Sequence, residues 1–134
     1  MYIDANIFVE LFLHQEKSQE CEDFLEKVKD GEIECVTSDF NIDGVLLAIY
    51  RATKDVKLME KVLTAILSYS GLTFYFLTME DRLKALSHGK TYSLDFEDSM
   101  ALQAAIASGC TKIISFDKHF DGLPIKRLEP KDAI

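Results

Sequence analysis

Apolar residues recur along this chain in two periods, and the switches between them mark its elements. Residues 1–4 read as a short buried strand. A helix begins just after Asp4 and runs to about Leu13, and His14 to Lys17 make a polar break. Ser18 to Lys29 set Cys21, Phe24, Leu25 and Val28 on one helical face, and Gly31 suits the helix end. Glu32 to Thr37 gives a second strand through Ile33, Cys35 and Val36. Ser38 or Asp39 caps a helix to about Arg51 whose stripe is Phe40, Asp43, Leu46, Leu47 and Tyr50. Lys54 to Tyr69 is amphipathic, with Val56, Met59, Val62, Leu63, Ile66 and Leu67 forming a wide apolar face. Leu72 to Leu77 is a third strand. Thr78 caps a helix through about Leu86, with Asp81 as its capping-box partner. Ser87 to Ser93 reads as a polar loop containing Gly89. Asp95 to Ser108 is an Ala-rich helix ended by Gly109. Thr111 to Phe116 is a fourth strand, and Pro124 to Leu128 a short fifth at an edge, where Pro124 is tolerated.

Strands that alternate with helices predict an α/β fold, a parallel sheet with helices on both faces. Ligands of such folds bind beyond the carboxyl ends of the strands. There is no repeat or linker, and 134 residues fit one domain, 1–134, with a substantial core. No apolar run reaches the roughly 18 residues of a membrane helix. With Asp4 so early and no basic n-region, a signal peptide is not expected, and the chain reads as cytoplasmic. Cys21, Cys35 and Cys110 fit no zinc or redox spacing and are expected to be free, buried small hydrophobes. The net charge of −8 argues against a constitutive polyanion binder. It does not exclude a nuclease, because a bound cation inverts the local charge of an acidic site.

Four aspartates change this picture. Asp4 and Asp117 follow strands, whereas Asp43 and Asp98 interrupt the apolar stripes of helices. Carboxylates on core-facing positions are costly unless hydrogen-bonded, paired or on a metal. Together they suggest one acidic pocket for a hard divalent cation, Mg²⁺ or Mn²⁺. Each residue also has a plainer reading. Asp4 suits a helix N-cap, and Asn6 a local turn. Asp117 suits a turn before Lys118. Asp98 suits a cap-region acid, and Asp95 and Glu97 compete with it as ligands. Asp43 could lie in solvent on a frayed helix, and Gly44 after it is unfavourable in mid-helix. His14, His88 and His119 read as surface residues. No phosphate-binding Gly loop and no nucleophile elbow is present.

Three segments resemble the PIN-domain family, in particular its small single-domain VapC-like toxins. Met1-Tyr2-Ile3-Asp4-Ala5-Asn6-Ile7-Phe8 is similar to the family's opening hydrophobic-Asp-x-Asn signature. Asp98-Ser99-Met100-Ala101-Leu102-Gln103-Ala104-Ala105, leading to Gly109, is similar to its third-acid helix. Ile113-Ile114-Ser115-Phe116-Asp117-Lys118-His119-Phe120 is similar to its closing strand-[TS]-x-Asp segment. The resemblance runs over essentially the whole chain. It implies a three-layer α/β/α fold with a short parallel sheet of strand order 3-2-1-4-5. It also implies a Mg²⁺- or Mn²⁺-dependent ribonuclease, a homodimer and a basic antitoxin peptide as partner. By the same resemblance Asp4, Asp43, Asp98 and Asp117 are site acids, with Asp4, Asp98 and Asp117 on the metal. Asn6 and Ser115 then position Asp4, Asp117 or a water. The family's second acid is usually Glu; here Asp43 stands in its place and Gly44 follows.

The expected activity is therefore hydrolysis of RNA phosphodiesters by metal-activated water, as the toxin of a toxin–antitoxin pair. Arg51, Lys54, Lys118 and His119 are candidates to hold phosphate, against the plainer reading of solvated surface charge. The Val56–Leu67 face is the candidate dimer surface. Two alternatives stay open: a non-catalytic module that binds RNA or protein, and an aspartate-based phosphohydrolase. The latter lacks a second Asp beside or two residues after Asp4, where Ala5 and Asn6 stand.

Overall fold

The computed structural model describes residues 1–134. In chain order the main elements are β1 (Tyr2–Ile3), α1 (Ala5–Phe12), α2 (Ser18–Lys29), β2 (Cys35–Ser38), α3 (Asp39–Thr53) and α4 (Val56–Leu67). They continue as β3 (Leu72–Tyr75), α5 (Met79–Tyr92), α6 (Phe96–Ala107), β4 (Lys112–Ile114) and β5 (Lys126–Leu128). The strands form one all-parallel sheet in the order β3-β2-β1-β4-β5, as the resemblance implied.

Alternation along the strands divides the core in two. Ile3 and Ile114 point to one face and meet α1, α2, α3 and α4 through Phe8, Phe24, Val45, Ile49 and Ile66. Tyr2 and Ile113 point to the other and meet α5 and α6 through Ala85, Met100, Leu102 and Ala105. The result is a three-layer α/β/α sandwich. β1 has only two residues, yet it lies at the centre and both are fully buried. Asn41 secures its end: Nδ2 donates to the Ile3 carbonyl at 2.8 Å and to Thr37 Oγ1 at 2.9 Å.

Several boundaries differ from expectation for local reasons. The second strand starts at Cys35 because Glu32 and Ile33 N–H groups turn back onto the Lys27 carbonyl and extend the end of α2. Leu77 leaves the third strand because its N–H donates to Asp39 Oδ1. Lys54 is a left-handed C-cap and Asp55 an N-cap, so α4 runs from Val56 to Leu67. The fourth strand ends at Ile114, ahead of the expected Phe116. The largest departure is α5, which continues through the expected polar loop to Tyr92. Gly89 is a contact point there, not a loop signal: a Cβ on it would sit 2.9 Å from Ser99 Oγ and 3.3 Å from the Leu94 carbonyl. The missing side chain lets α5 pack tightly on α6. Helix α3 is also rotated from the expected stripe. Its buried face is Asn41, Ile42, Val45 and Ile49, so Asp43, Gly44, Leu47 and Tyr50 are exposed. Seven-residue repeats of apolar side chains occur on both faces of this helix, and the β-branched set took the core.

The three cysteines are free: Cys21 and Cys35 are buried and Cys110 is half-buried. No helix is long and apolar enough to cross a membrane.

Candidate metal centre

The sheet's carboxyl edge opens into a pocket of about 470 Å³ whose walls include Asp4, Asn6, Asp43, Glu97, Asp98 and Asp117. Four elements supply these side chains. Asp4 ends β1 and caps α1, with Oδ1 accepting from the Ala5 N–H at 2.8 Å. Its Oδ2 accepts from Ser115 Oγ at 2.7 Å and from Asn6 Nδ2 at 3.1 Å. Ser115 Oγ accepts in turn from Asn6 Nδ2 at 3.1 Å and from the Asp117 N–H at 3.0 Å. One hydroxyl thereby ties the acid after β1 to the acid after β4. The Asn6 Oδ1 atom is buried without a partner, a cost of about 1–3 kcal/mol unless a water or ligand donates to it.

Asp98 lies in the first turn of α6. Asp95 is the N-cap of that helix and accepts the Asp98 N–H at 2.8 Å; Glu97, not Asp95, faces the pocket. Asp117 precedes a single 3₁₀ turn, Lys118–Phe120, and accepts the His119 N–H at 2.9 Å. That turn brings the His119 ring to both acids, with Nδ1 3.3 Å from Asp98 Oδ2 and 3.1 Å from Asp117 Oδ1. The ligand atoms of Asp98, Asp117 and His119 lie within 4.8 Å of one another. Reading His119 as a surface residue was therefore incomplete: the ring is exposed, but it bridges two acids. Its only sequence signal was its place two residues after Asp117. Asp43 is not on a core stripe as expected; it sits on the exposed face of α3 at the rim of the pocket. Arg51, Lys54 and Lys118 are exposed and do not line the pocket.

The electrostatics separate these acids from an ordinary buried carboxylate. Burial pushes Asp4 up to about 6 against its hydrogen bonds from Ser115 and Ala5, and Asp117 and Glu97 add to the rise. Burial also pushes Asp98 up to about 6, helped by the charges of Asp117, Asp95 and Asp4. Asp117 and the Asp98 contact raise the His119 imidazole above its usual range. Asp81 is the contrast. Burial pushes it up too, but the Thr78 N–H, Gln103, Tyr75 and the Thr78 hydroxyl outweigh that and hold it at about 2. Asp81 has donors enough to offset its burial, whereas at Asp4 and Asp98 burial and the neighbouring acids outweigh the donors and the one imidazole present. The donor set is carboxylate oxygen with one imidazole, which suits a hard or borderline divalent cation. The acids fit such an ion because four carboxylates converge here and the protein sets only one imidazole against them.

A family model described as the PIN domain matches residues 1–126. Comparison with curated proteins gives no match. Among solved structures, VapC20 of Mycobacterium tuberculosis, a toxin that cleaves the sarcin–ricin loop, is similar with a TM-score of 0.69 and 14% identity. That match covers 87% of this chain and 88% of the other. A toxin–antitoxin complex from Klebsiella pneumoniae matches at a TM-score of 0.72 and 17% identity, over 96% of each chain. VapBC2 from Rickettsia felis, bound to a DNA fragment from its promoter, matches at 0.66 and 12% identity, again over 96% of each.

Proposed function

Since this chain belongs to the PIN-domain family, we propose that it is a metal-dependent endoribonuclease, the toxin of a toxin–antitoxin pair. One observation carries the reading: Asp4, Glu97, Asp98 and Asp117 converge on one pocket, and the single imidazole beside them, His119, cannot balance four carboxylates. In this reading Asp4, Asp98 and Asp117 hold Mg²⁺ or Mn²⁺, with His119 beside them. A bound ion of this kind lowers the pKa of its water and stabilises charge on the phosphoryl oxygens.

The chain's own residues have separate tasks. Ser115 and Asn6 fix the rotamer of Asp4 and so the direction of its free lone pairs. Asp95 holds the first turn of α6, which aims Asp98. Asp43 reaches the pocket from the opposite rim, where it can orient an attacking water or accept its proton. His119, raised by the two acids it bridges, can donate a proton to the leaving oxygen. Residues 1–134 act as one domain in the cytoplasm. The partner is a basic antitoxin peptide, which the net charge of −8 favours. RNA is the substrate, and the active species is a homodimer.

The test is incubation of the purified protein with structured and unstructured RNA in Mn²⁺, in Mg²⁺ and in EDTA. Cleavage in either metal, abolished by EDTA, is expected. Cleavage that persists in EDTA would overturn the metal assignment. RNA binding without cleavage would favour the non-catalytic alternative.

A further inference from the structure

We infer that helix α3 presents a seat for one unpaired nucleobase beside the acidic pocket, with Gly44 as its floor. The inference rests on the nuclease reading and narrows its substrate to RNA with an accessible, unstacked base. Along the α3 wall of the pocket stand Phe40, Gly44 and Leu47, at i, i+4 and i+7, with the Asp43 carboxylate beside them at i+3. Phe40 is braced edge-on by Phe96, with ring centroids 5.6 Å apart and an interplanar angle of 84°. Leu47 is 50% exposed. At a helical rise of about 1.5 Å per residue, Phe40 and Leu47 stand about 10 Å apart along the axis. Asp43, at i+3 from Phe40, flanks the interval between them on one side, and Gly44 leaves the other side open.

Nothing in the fold requires that glycine. Its φ is not left-handed, and a Cβ there would meet nothing within 4 Å. A mid-helix glycine weakens a helix relative to alanine, so the position is explained by what lies outside it. A flat ring entering the interval would rest on helix backbone, with Phe40 on one side and Leu47 on the other. Such stacking accepts any base.

The same face ends in positive charge. Arg51 continues the Phe40–Gly44–Leu47 row, and Lys54 Nζ lies 4.7 Å from the centroid of the Tyr50 ring. Neither makes an ion pair. The seat on α3 thus lies between the acid-lined pocket, to which Asp43 belongs, and a cationic end, an arrangement that matches phosphate, base and next phosphate along one strand. An apolar side chain of a protein partner would also fit the seat, but it would leave the cationic end unexplained. Paired bases in an RNA helix are stacked inward and cannot reach the seat.

The experiment measures binding of a fluorescent single-stranded oligoribonucleotide in Ca²⁺, alongside cleavage and Mn²⁺-induced melting shifts. Wild type is compared with Gly44→Leu, which fills the interval on an exposed surface, and with the double variant Arg51→Ala/Lys54→Ala. Gly44→Leu should melt no lower than wild type and keep the full Mn²⁺ shift. It should weaken single-strand binding by about 5- to 150-fold, the range for loss of one stacked base. The double variant should weaken binding and flatten its salt dependence. Wild type should prefer the single strand to a duplex of the same sequence. If wild type cuts RNA and Gly44→Leu binds and cuts equally well, the seat is overturned and the nuclease reading stands. If wild type binds single strands through Gly44 but never cuts, the nuclease reading falls and the seat stands. Failure of wild type to bind RNA in any metal overturns both.

Discussion

At the scale of single residues, proton binding is the property that marks the site. Asp4 and Asp98 rise from 3.8 to about 6 on folding. Between those values the folded chain holds more protons than the unfolded chain, so metal-free stability must fall as pH rises from about 4 through about 6. For the buried Asp4 the loss is about 3 kcal/mol. Above about pH 7 both acids are ionised in both states and the curve flattens with respect to them. Neutralising one acid should relieve the other. Asp98→Asn is expected to melt at or above the wild-type temperature at pH 7.5 without metal. With Mn²⁺, wild type should gain about 2.7 kcal/mol at one hundred times Kd, and Asp98→Asn should lose most of that gain. Calorimetry with and without the ion checks both; a markedly weaker Asp98→Asn with an undiminished metal shift would reduce Asp98 to a helix cap. For catalysis, Asp4→Asn should lower RNA cleavage at least about 100-fold, the scale of a lost electrostatic contact to the reaction. Wild-type rates in that variant would remove Asp4 from the site.

The three acids that the structure brings together at the carboxyl edge were legible because each follows an apolar strand or starts an apolar helix. His119 was not, because a ring swung round by one 3₁₀ turn leaves no periodic trace. Asp43 was legible as an acid but not in its placement, since α3 offers two apolar faces and only packing chooses between them.

At the scale of elements, order and type could be read from the chain, and boundaries failed where a contact distant in sequence overrode a local signal. Gly89 carries a loop composition, yet it lies inside α5 because α6 packs against it. The start of the same helix was readable, because Thr78 and Asp81 form a capping box from adjacent residues. Asp81 does more than cap. It also accepts from Tyr75 Oη at 2.7 Å and from Gln103 Nε2 at 2.9 Å, and Gln103 then meets His88 at 2.9 Å. This one carboxylate joins β3, α5 and α6. Asp81→Ala removes a helix cap and strands the buried Gln103 amide, so it should cost about 2–4 kcal/mol. It should leave the Mn²⁺ shift intact, because the residue is outside the acidic pocket. Urea titration with and without Mn²⁺ tests this, and a lost metal shift would show that the two networks are coupled.

At the scale of the whole molecule, the question is which surface meets another chain. The α4 face expected to pair subunits is spent mostly at home: Val62 and Ile66 are buried, and Leu58, Met59 and Leu63 pack on the chain's own core. Helix α5 leaves more. Met79, Leu83 and Leu86 form one stripe, with Met79 76% and Leu83 70% exposed, and Phe76 extends it. Glu80 lies at its start and Lys90 near its end, so antiparallel pairing with a second copy would set opposite charges against each other. A dimer through α5 should give a dimer mass by light scattering at micromolar protein, and Leu83→Lys should give a monomer that still takes up Mn²⁺. A wild-type monomer at that concentration would exclude this pairing.

The hydroxyl bridge between the two strand ends also sets a time. Ser115 and Asp4 are separated by 111 positions, so neither the bridge nor the acid pair exists until β4 has inserted beside β1. Chains emerge from the ribosome at about 5–20 residues per second. Until that insertion the growing polypeptide carries Asp4, Asp43 and Asp98 without a place to assemble them. A metal site divided in this way forms only once the segment that carries Ser115 and Asp117 has folded against β1. Nascent chains stalled before Thr111 should show no protection by Mn²⁺ against limited proteolysis, whereas released chains should show it in full.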